Sequence, residues 1–422
     1  MTRIEATWRA TLLVATSISL AILELAGRGH PYTGFLASFL AVLLAVSAAL
    51  AKRYAKMLGD VVVERAAPKR AAEGARVEYR LVARNTGGSG LPVVVVEDRP
   101  PSRLRPEERA WAMGSLPPGG TLVVEWSARP APGYHVLDEV IVSVGDPLWL
   151  FFHSESRKIV SSTGVFPLSL REAHPGLWRW GLGEPPPQAR RGATVEFYSL
   201  REYQPGDDVR LIYWPATARL GRPIVREGLE YSEDRVAVFL DLSQPSWAGP
   251  PGGAPADWGM RLTLSILEST ASTGGYAAYR ISHGEVWVDR GPARASMLVE
   301  AARNDLALSG PTRSTPPIGM ARQVEGLVDR LPRGYRIVAI LSPLAPLSAI
   351  IESLPQGSDV VVVPPTGPGR LWEKARRLTA RTVARLRVPP GVRVYVPKSE
   401  GEILWLAAHV SLPPSRRAAR LR

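Results

Sequence analysis

The sequence contains no cysteine. That excludes disulfide frameworks, thiolate metal sites and a thiol nucleophile, and leaves the redox compartment unmarked. Histidine is almost as scarce, with six scattered residues that leave little scope for a catalytic triad or a paired-histidine zinc helix. His135 and His153 are too isolated to read as a metal pair. A Walker-type phosphate loop and a Gly-x-Ser-x-Gly elbow are also missing. Acidic residues are outnumbered, 39 Asp and Glu against 52 Lys and Arg, which gives a formal charge of +13. Such an excess fits nucleic-acid binding, attraction to anionic lipid, or the composition of a heat-adapted genome. The basic residues are dispersed, with local density at Lys52, Arg53 and Lys56, across 370–387, and at Arg416, Arg417, Arg420 and Arg422. No aromatic-interleaved basic stripe accompanies them, so nucleic acid is not the favoured partner.

What is abundant is proline and glycine, 39 and 38 residues in a chain of 422. That length gives room for two or three domains, and that composition suits a loop-rich β architecture.

Two apolar stretches, 10–27 and 35–51, flank a short turn from Arg28 to Gly34. Each is close to the lower limit of about 17 residues for a bilayer-spanning helix. A cleaved signal peptide would explain the first and not the second, and neither is amphipathic in the manner of a core hairpin. Glu24, near the end of the first stretch, can reach the interface as a snorkelling carboxylate. Arg3 and Arg9 precede the pair, Lys52, Arg53 and Lys56 follow it, and the turn carries only Arg28. Positive flanks favour the cytoplasmic side, so everything after residue 56 is expected in the cytoplasm.

From 57 to 168 short strands alternate with turns. Val61–Val63, Val77–Ala83, Val93–Glu97, Thr121–Ala128 and Val136–Val144 are the clearest strands, and Asn85-Thr-Gly-Gly, Pro117-Pro-Gly-Gly and Pro132-Gly are turns. The spacing predicts a small immunoglobulin-like sandwich. Here a resemblance enters. Asn85-Thr-Gly, Leu91-Pro-Val-Val-Val-Val-Glu-Asp-Arg-Pro, Leu116-Pro-Pro-Gly-Gly, Pro132-Gly-Tyr and Asp146-Pro-Leu-Trp-Leu-Phe resemble domain-of-unknown-function family fifty-eight. The stretch 200–230 is similar to that family's hallmark at Arg201, Tyr203, Gly206, Asp207, Arg210, Ile212, Trp214, Ala218, Arg219, Val225, Arg226 and Glu230.

The resemblance implies a membrane hairpin and a β-sandwich ahead of a signature segment and a von Willebrand factor A-like domain. It also implies a working association with MoxR-type AAA+ ATPases, thought to act as chaperones in maturing other complexes. The residues themselves leave three readings of the signature open. Arg201, Asp207, Arg210, Arg219, Arg226 and Glu230 can form an internal ion-paired network, or a polar docking face. Alternatively Asp207 and Asp208, presented together by the turn at Pro205-Gly206, serve a hydrolytic or transfer enzyme, although no histidine, lysine or nucleophile adjoins them.

Beyond residue 235 strands and helices alternate: a strand at 235–241, helix 258–272, strands 275–281 and 285–288, helices 293–307 and 321–331. A strand at 335–341, a helix from Pro346, a strand at 359–363, helix 370–387 and a strand at 393–396 complete the pattern. This predicts a mainly parallel, doubly wound sheet, whose ligands bind beyond the carboxyl ends of the strands. Asp241-Leu-Ser243 falls at such an end and resembles the start of the metal-ion-dependent adhesion motif, Asp-x-Ser-x-Ser. The next motif position is Pro245, and the later strand ends in Ile340-Leu-Ser-Pro343. Thr312 or Thr315 could stand in for the motif threonine. Asp241 and Ser243 alone make at most a degenerate site, since Mg²⁺ needs more oxygen ligands than these two, so no cofactor is expected.

The expected architecture is thus a transmembrane helical hairpin (1–56), a β-sandwich (57–168), a linker with the Arg/Asp signature (169–234), and an α/β von Willebrand A-like domain with a basic tail (235–422). The expected function is a membrane-anchored, non-enzymatic interaction module facing the cytoplasm.

Overall fold

The computed structural model describes residues 4–30, 32–170, 189–192, 196–204, 209, 212–231, 235–284, 286–311, 319–367, 370–397 and 402–403. It divides into two compact units, Met1–Phe166 and Pro167–Arg422.

The first unit opens with helices α1 (Trp8–Leu25) and α2 (Thr33–Met57). Thr7 caps α1, its hydroxyl accepting from Ala10 N–H at 3.4 Å, and small residues let the helices approach. Ser17 Oγ donates to the Ala37 carbonyl at 3.0 Å. Both helices are long and apolar enough to cross a membrane, and only 6% and 22% of their apolar windows are buried within the protein. Leu12, Ile18, Ile22, Phe35, Phe39 and Val42 instead point outward.

Seven longer strands follow, besides two short ones, Glu5–Ala6 and Arg70–Ala72, that pair with the last of them: β1 (Val61–Ala66), β2 (Val77–Asn85), β3 (Leu91–Asp98), β4 (Trp111–Leu116), β5 (Thr121–Ala128), β6 (Gly133–Gly145) and β7 (Phe151–Phe166). Strands β1, β2 and β5 form one antiparallel sheet, and β7, β6, β3 and β4 run in that order in the other. The alternating burial of β2, with Val77, Tyr79, Leu81 and Ala83 inward, is the mark of a half-buried strand. Tyr79 and Trp126 stack at 4.2 Å in the core. The two longest strands were only partly legible: β6 extends beyond its predicted span at both ends, and β7 was not predicted. Nine of the sixteen residues of β7 are polar, so it lacks a long apolar run.

The turn motifs have physical work here. Asn85 Nδ2 donates to the carbonyls of Ser89 and Leu116 at 2.8 and 3.0 Å, and its Oδ1 accepts from Gly87 N–H at 2.9 Å. Asp146 accepts three backbone N–H groups, those of Leu148, Leu150 and Phe151, at 2.7–2.9 Å. That cage holds the β6–β7 turn, in which Trp149 takes a φ of 53°.

In the second unit, β8 (Ala189–Gly192), β9 (Glu196–Glu202) and β10 (Ile224–Tyr231) form an antiparallel sheet with β10 central. The short helix α3 (Trp214–Leu220) lies between β9 and β10. The doubly wound sheet then runs β11 (Arg235–Asp241), β12 (Tyr276–Ser282), β13 (Trp287–Arg294), β14 (Arg336–Leu341), β15 (Asp359–Val362) and β16 (Arg393–Tyr395) in chain order. In space the order is β13-β12-β11-β14-β15-β16, parallel except for β13. Its helices are α4 (Pro255–Ser272), α5 (Ala295–Ala307), α6 (Met320–Arg330), α7 (Leu347–Glu352) and α8 (Arg370–Val383).

Strand β11 explains the layering. Val236, Val238 and Leu240 pack with α4 and α5, whereas Ala237 and Phe239 pack with α6 and α7. A strand buried on both faces reads as a continuous apolar run, as this one does. Helix α4 sits close to it because Gly259 carries no side chain; a Cβ there would lie 2.7 Å from Leu240 Cδ1.

Candidate functional site

Strand β11 is central, and the chain leaves it in one direction towards β12 and leaves β14 in the other towards β15. The loops after β11 and β14 therefore part at a topological switch point, the position where open α/β sheets bind ligands. Asp241 lies there, buried at the end of β11. Its Oδ1 accepts from Ser243 N–H at 2.9 Å, and its Oδ2 accepts from Ser342 N–H, after β14, at 3.3 Å. The hydroxyls of Ser243 and Ser246 are buried beside the same carboxylate and meet no other partner among the described residues. Burial pushes the Asp241 carboxyl up, and hydrogen bonds from Ser243, Ser246 and Ser342 oppose the rise.

Ser246 and Ser342 are the members that sequence reasoning missed. Pro245 occupies the motif's next position, but the 3₁₀ turn Gln244–Trp247 carries the chain round so that Ser246 takes the inward place. A serine one step beyond the expected spacing was the available signal. Thr312 and Thr315 lie outside the described residues.

Above this polar floor is a small recess of about 240 Å³, walled by Pro245, Pro255, Pro343 and Pro365 and by the α8 residues Leu378 and Thr379. Two contacts hold the rim together. Thr366 N–H donates to the Gly253 carbonyl at 2.8 Å, and Trp258 Nε1–H donates to Thr366 Oγ1 at 2.7 Å.

The signature segment is described in part. Arg201 on β9 stands opposite Val225 on β10, and Leu200 opposite Arg226, so the register brings Arg201 and Arg226 onto neighbouring strands one step apart. Glu230 pairs in register with Arg190 of β8. Tyr203 N–H donates to the Pro223 carbonyl at 2.9 Å. Thr217 Oγ1 donates to the Tyr213 carbonyl and accepts from Ile224 N–H, which pins α3 to the start of β10. Trp214 and Arg219 are exposed on α3. Gly206, Asp207, Asp208 and Arg210 lie outside the described residues, as do the side chains of Arg201, Arg226 and Glu230. Among the described residues, no three His, Asp or Glu side chains gather as a metal site.

An apolar hairpin, a β-sandwich and a doubly wound α/β unit in one chain define a multidomain architecture whose signature lies ahead of the α/β sheet. Residues 199–332 match the family described as protein of unknown function DUF58, the family that the signature segment resembles. The match runs from within β9 to just past α6 and includes the Asp241 loop. No curated protein matches the chain. Among solved structures, the CARDB domain of a Pyrococcus furiosus protein in complex with di-metal ions is 19% identical, with 25% of this chain and 92% of that chain covered and a TM-score of 0.19. The complex of zinc 2-glycoprotein and prolactin-inducible protein from human seminal plasma is 13% identical, with 23% and 93% covered and a TM-score of 0.18. An inactive mutant of a GH20 exo-β-N-acetylglucosaminidase from Vibrio harveyi is 9% identical, with 77% and 71% covered and a TM-score of 0.23. Scores this low carry no argument about fold or function.

Proposed function

We propose that this protein is a membrane-anchored interaction module that engages a protein partner through the carboxyl end of its C-terminal sheet. The observation that carries the reading is the recess itself: a concave, proline-walled apolar surface at the switch point, where α/β sheets present their binding sites. Under this reading the hairpin lies in the bilayer, its outward Leu, Ile, Phe and Val side chains meeting lipid. The basic flanks Arg3, Arg9, Lys52, Arg53 and Lys56 support a cytoplasmic position for the folded units.

The C-terminal unit is a von Willebrand A-like domain that works without a metal and without catalysis of its own. The partner implied by the family resemblance is a MoxR-type AAA+ ATPase, and the joint task is maturation of other complexes. A photo-reactive residue placed at Leu344, on the recess rim, in native membranes tests this. It should give discrete protein adducts, an AAA+ ATPase among them, that the same residue at Met297 on α5 does not give. Identical adducts at both positions, or none, would reject the reading.

A further inference from the structure

We infer that the recess receives an acidic protein segment, which inserts one apolar side chain between the prolines and lays its carboxylates along α8. The inference rests on the interaction reading above and names the chemistry of the partner.

The recess is too small for a drug-sized ligand, whose pockets run to about 300–1,000 Å³; at about 240 Å³ it suits a single large apolar side chain. Prolines make a suitable wall for one. Each has a fixed φ and no N–H, so an incoming hydrocarbon strands no backbone donor there and orders little chain. At the rim, Leu344 and Leu378 stand 64% and 52% exposed. Both are apolar surfaces that a docking segment would cover.

The charge around the recess selects the rest of the segment. Helix α8 turns Ala375, Leu378, Thr379 and Thr382 towards the recess, a spacing of three, four and seven that marks one helical face. Arg370, Lys374, Arg377 and Arg381 follow at spacings of four, seven and eleven, which sets them on an adjoining stripe on the Leu378 side. All four are exposed. The helix has one carboxylate, Glu373, which pairs with Arg377 at 2.8 Å in an exposed bridge. Exposed pairs of this kind contribute little, so a partner's carboxylate can displace it. A cationic ridge beside an apolar slot complements a segment with an apolar anchor flanked by Asp and Glu. The ridge steers the encounter and the slot sets the residence time.

The test uses the full chain in nanodiscs of phosphatidylcholine and three fluorescein-labelled synthetic peptides. One is a 16-residue Glu/Asp/Ala sequence with a central Phe, one has Gln and Asn for the acidic residues, and one has Ser for the Phe. The first should bind saturably and the other two at least about tenfold more weakly. Leu378→Ser should weaken the first peptide about tenfold at every salt concentration. Arg381→Glu should weaken it mainly at low salt, because exposed charges are screened. Arg84→Glu, the same change of charge in the sandwich, should do neither.

Absence of peptide binding by a folded chain overturns the inference. So does binding indifferent to the Phe or to Leu378→Ser, which would mark attraction to bulk charge. Adsorption to phosphatidylserine vesicles that displaces the peptide and ignores Leu378→Ser overturns it in favour of a lipid surface. Peptide failure with Leu344 crosslinks intact removes the acidic segment alone; loss of the crosslinks removes the interaction reading with it.

Discussion

Asp98 shows how much a single side chain can hold. Its carboxylate receives Arg65 Nη2–H at 2.6 Å, Arg65 Nε–H at 3.2 Å and Trp126 Nε1–H at 3.1 Å. Arg65 lies on β1 and Asp98 on β3, so the pair bridges the two sheets, and both side chains are fully buried. Arg65 also donates to the carbonyls of Leu137 and Glu139. Breaking a buried pair by removing one partner leaves an uncompensated charge, at a cost of about 3–5 kcal/mol. Asp98→Ala should therefore lower the sandwich's denaturation midpoint strongly, whereas Arg80→Ala, which breaks an exposed pair with Glu125, should leave it almost unchanged.

His135, on β6, is the second informative residue. Burial pulls its imidazole down to about 4, against a weaker opposing hydrogen bond to the Ala131 carbonyl at 2.7 Å. The ring is therefore neutral in the folded protein, and the unfolded chain binds the extra proton between the unfolded value of about 6.5 and the folded one. Stability contributed by His135 is complete above pH 6.5 and is lost as pH falls towards 4. Urea melts at stepped pH should show a slope in that window that His135→Gln flattens. An unchanged slope would assign it to carboxylates.

At the scale of elements, the loop after β11 is the decisive case. The sequence reading of Asp241 and Ser243 as a degenerate metal motif counted fixed spacings, but the 3₁₀ turn changes which hydroxyl faces the carboxylate. Four groups now surround or join Asp241, and two of them are backbone N–H donors, which a metal cannot use as ligands. Stabilisation by a ligand follows its concentration relative to its dissociation constant, so millimolar Mg²⁺ or EDTA should leave the melting temperature of the C-terminal unit unchanged. A rise of many degrees with Mg²⁺, abolished by Asp241→Ala, would overturn the metal-free proposal. Asp241→Ala by itself strands the N–H groups of Ser243 and Ser342 and should cost about 1–3 kcal/mol.

At the scale of the whole molecule, the proposed membrane anchoring predicts on which side the folded units lie. The proposed cytoplasmic position follows from the basic residues that flank the helix pair, with Arg28 alone in the turn between the helices. Reporter fusions after Lys56 and at Arg422 should both behave as cytoplasmic. Digestion of the β-sandwich by protease added outside sealed cells would reverse the topology and move the acidic partner to the other compartment.

Local pattern alone determined much of this architecture. The paired apolar stretches, the alternation of β2, the continuous apolar run of β11 and the basic density of α8 are all local signals, legible from composition or period within one window. Turn chemistry at Asp146 was equally local, since its side chain binds backbone within five residues, whereas Asn85 adds to its local bonds one to the Leu116 carbonyl, 31 residues on. Tertiary structure decided what depends on meeting distant chain. The polar β7 is a strand because β6 pairs with it, Arg65 meets Asp98 only when two sheets close, and Ser342 reaches Asp241 across 101 residues of sequence. The recess is the clearest instance. Its prolines come from three loops that parallel pairing gathers at the carboxyl end of the sheet, and no window of sequence holds them together.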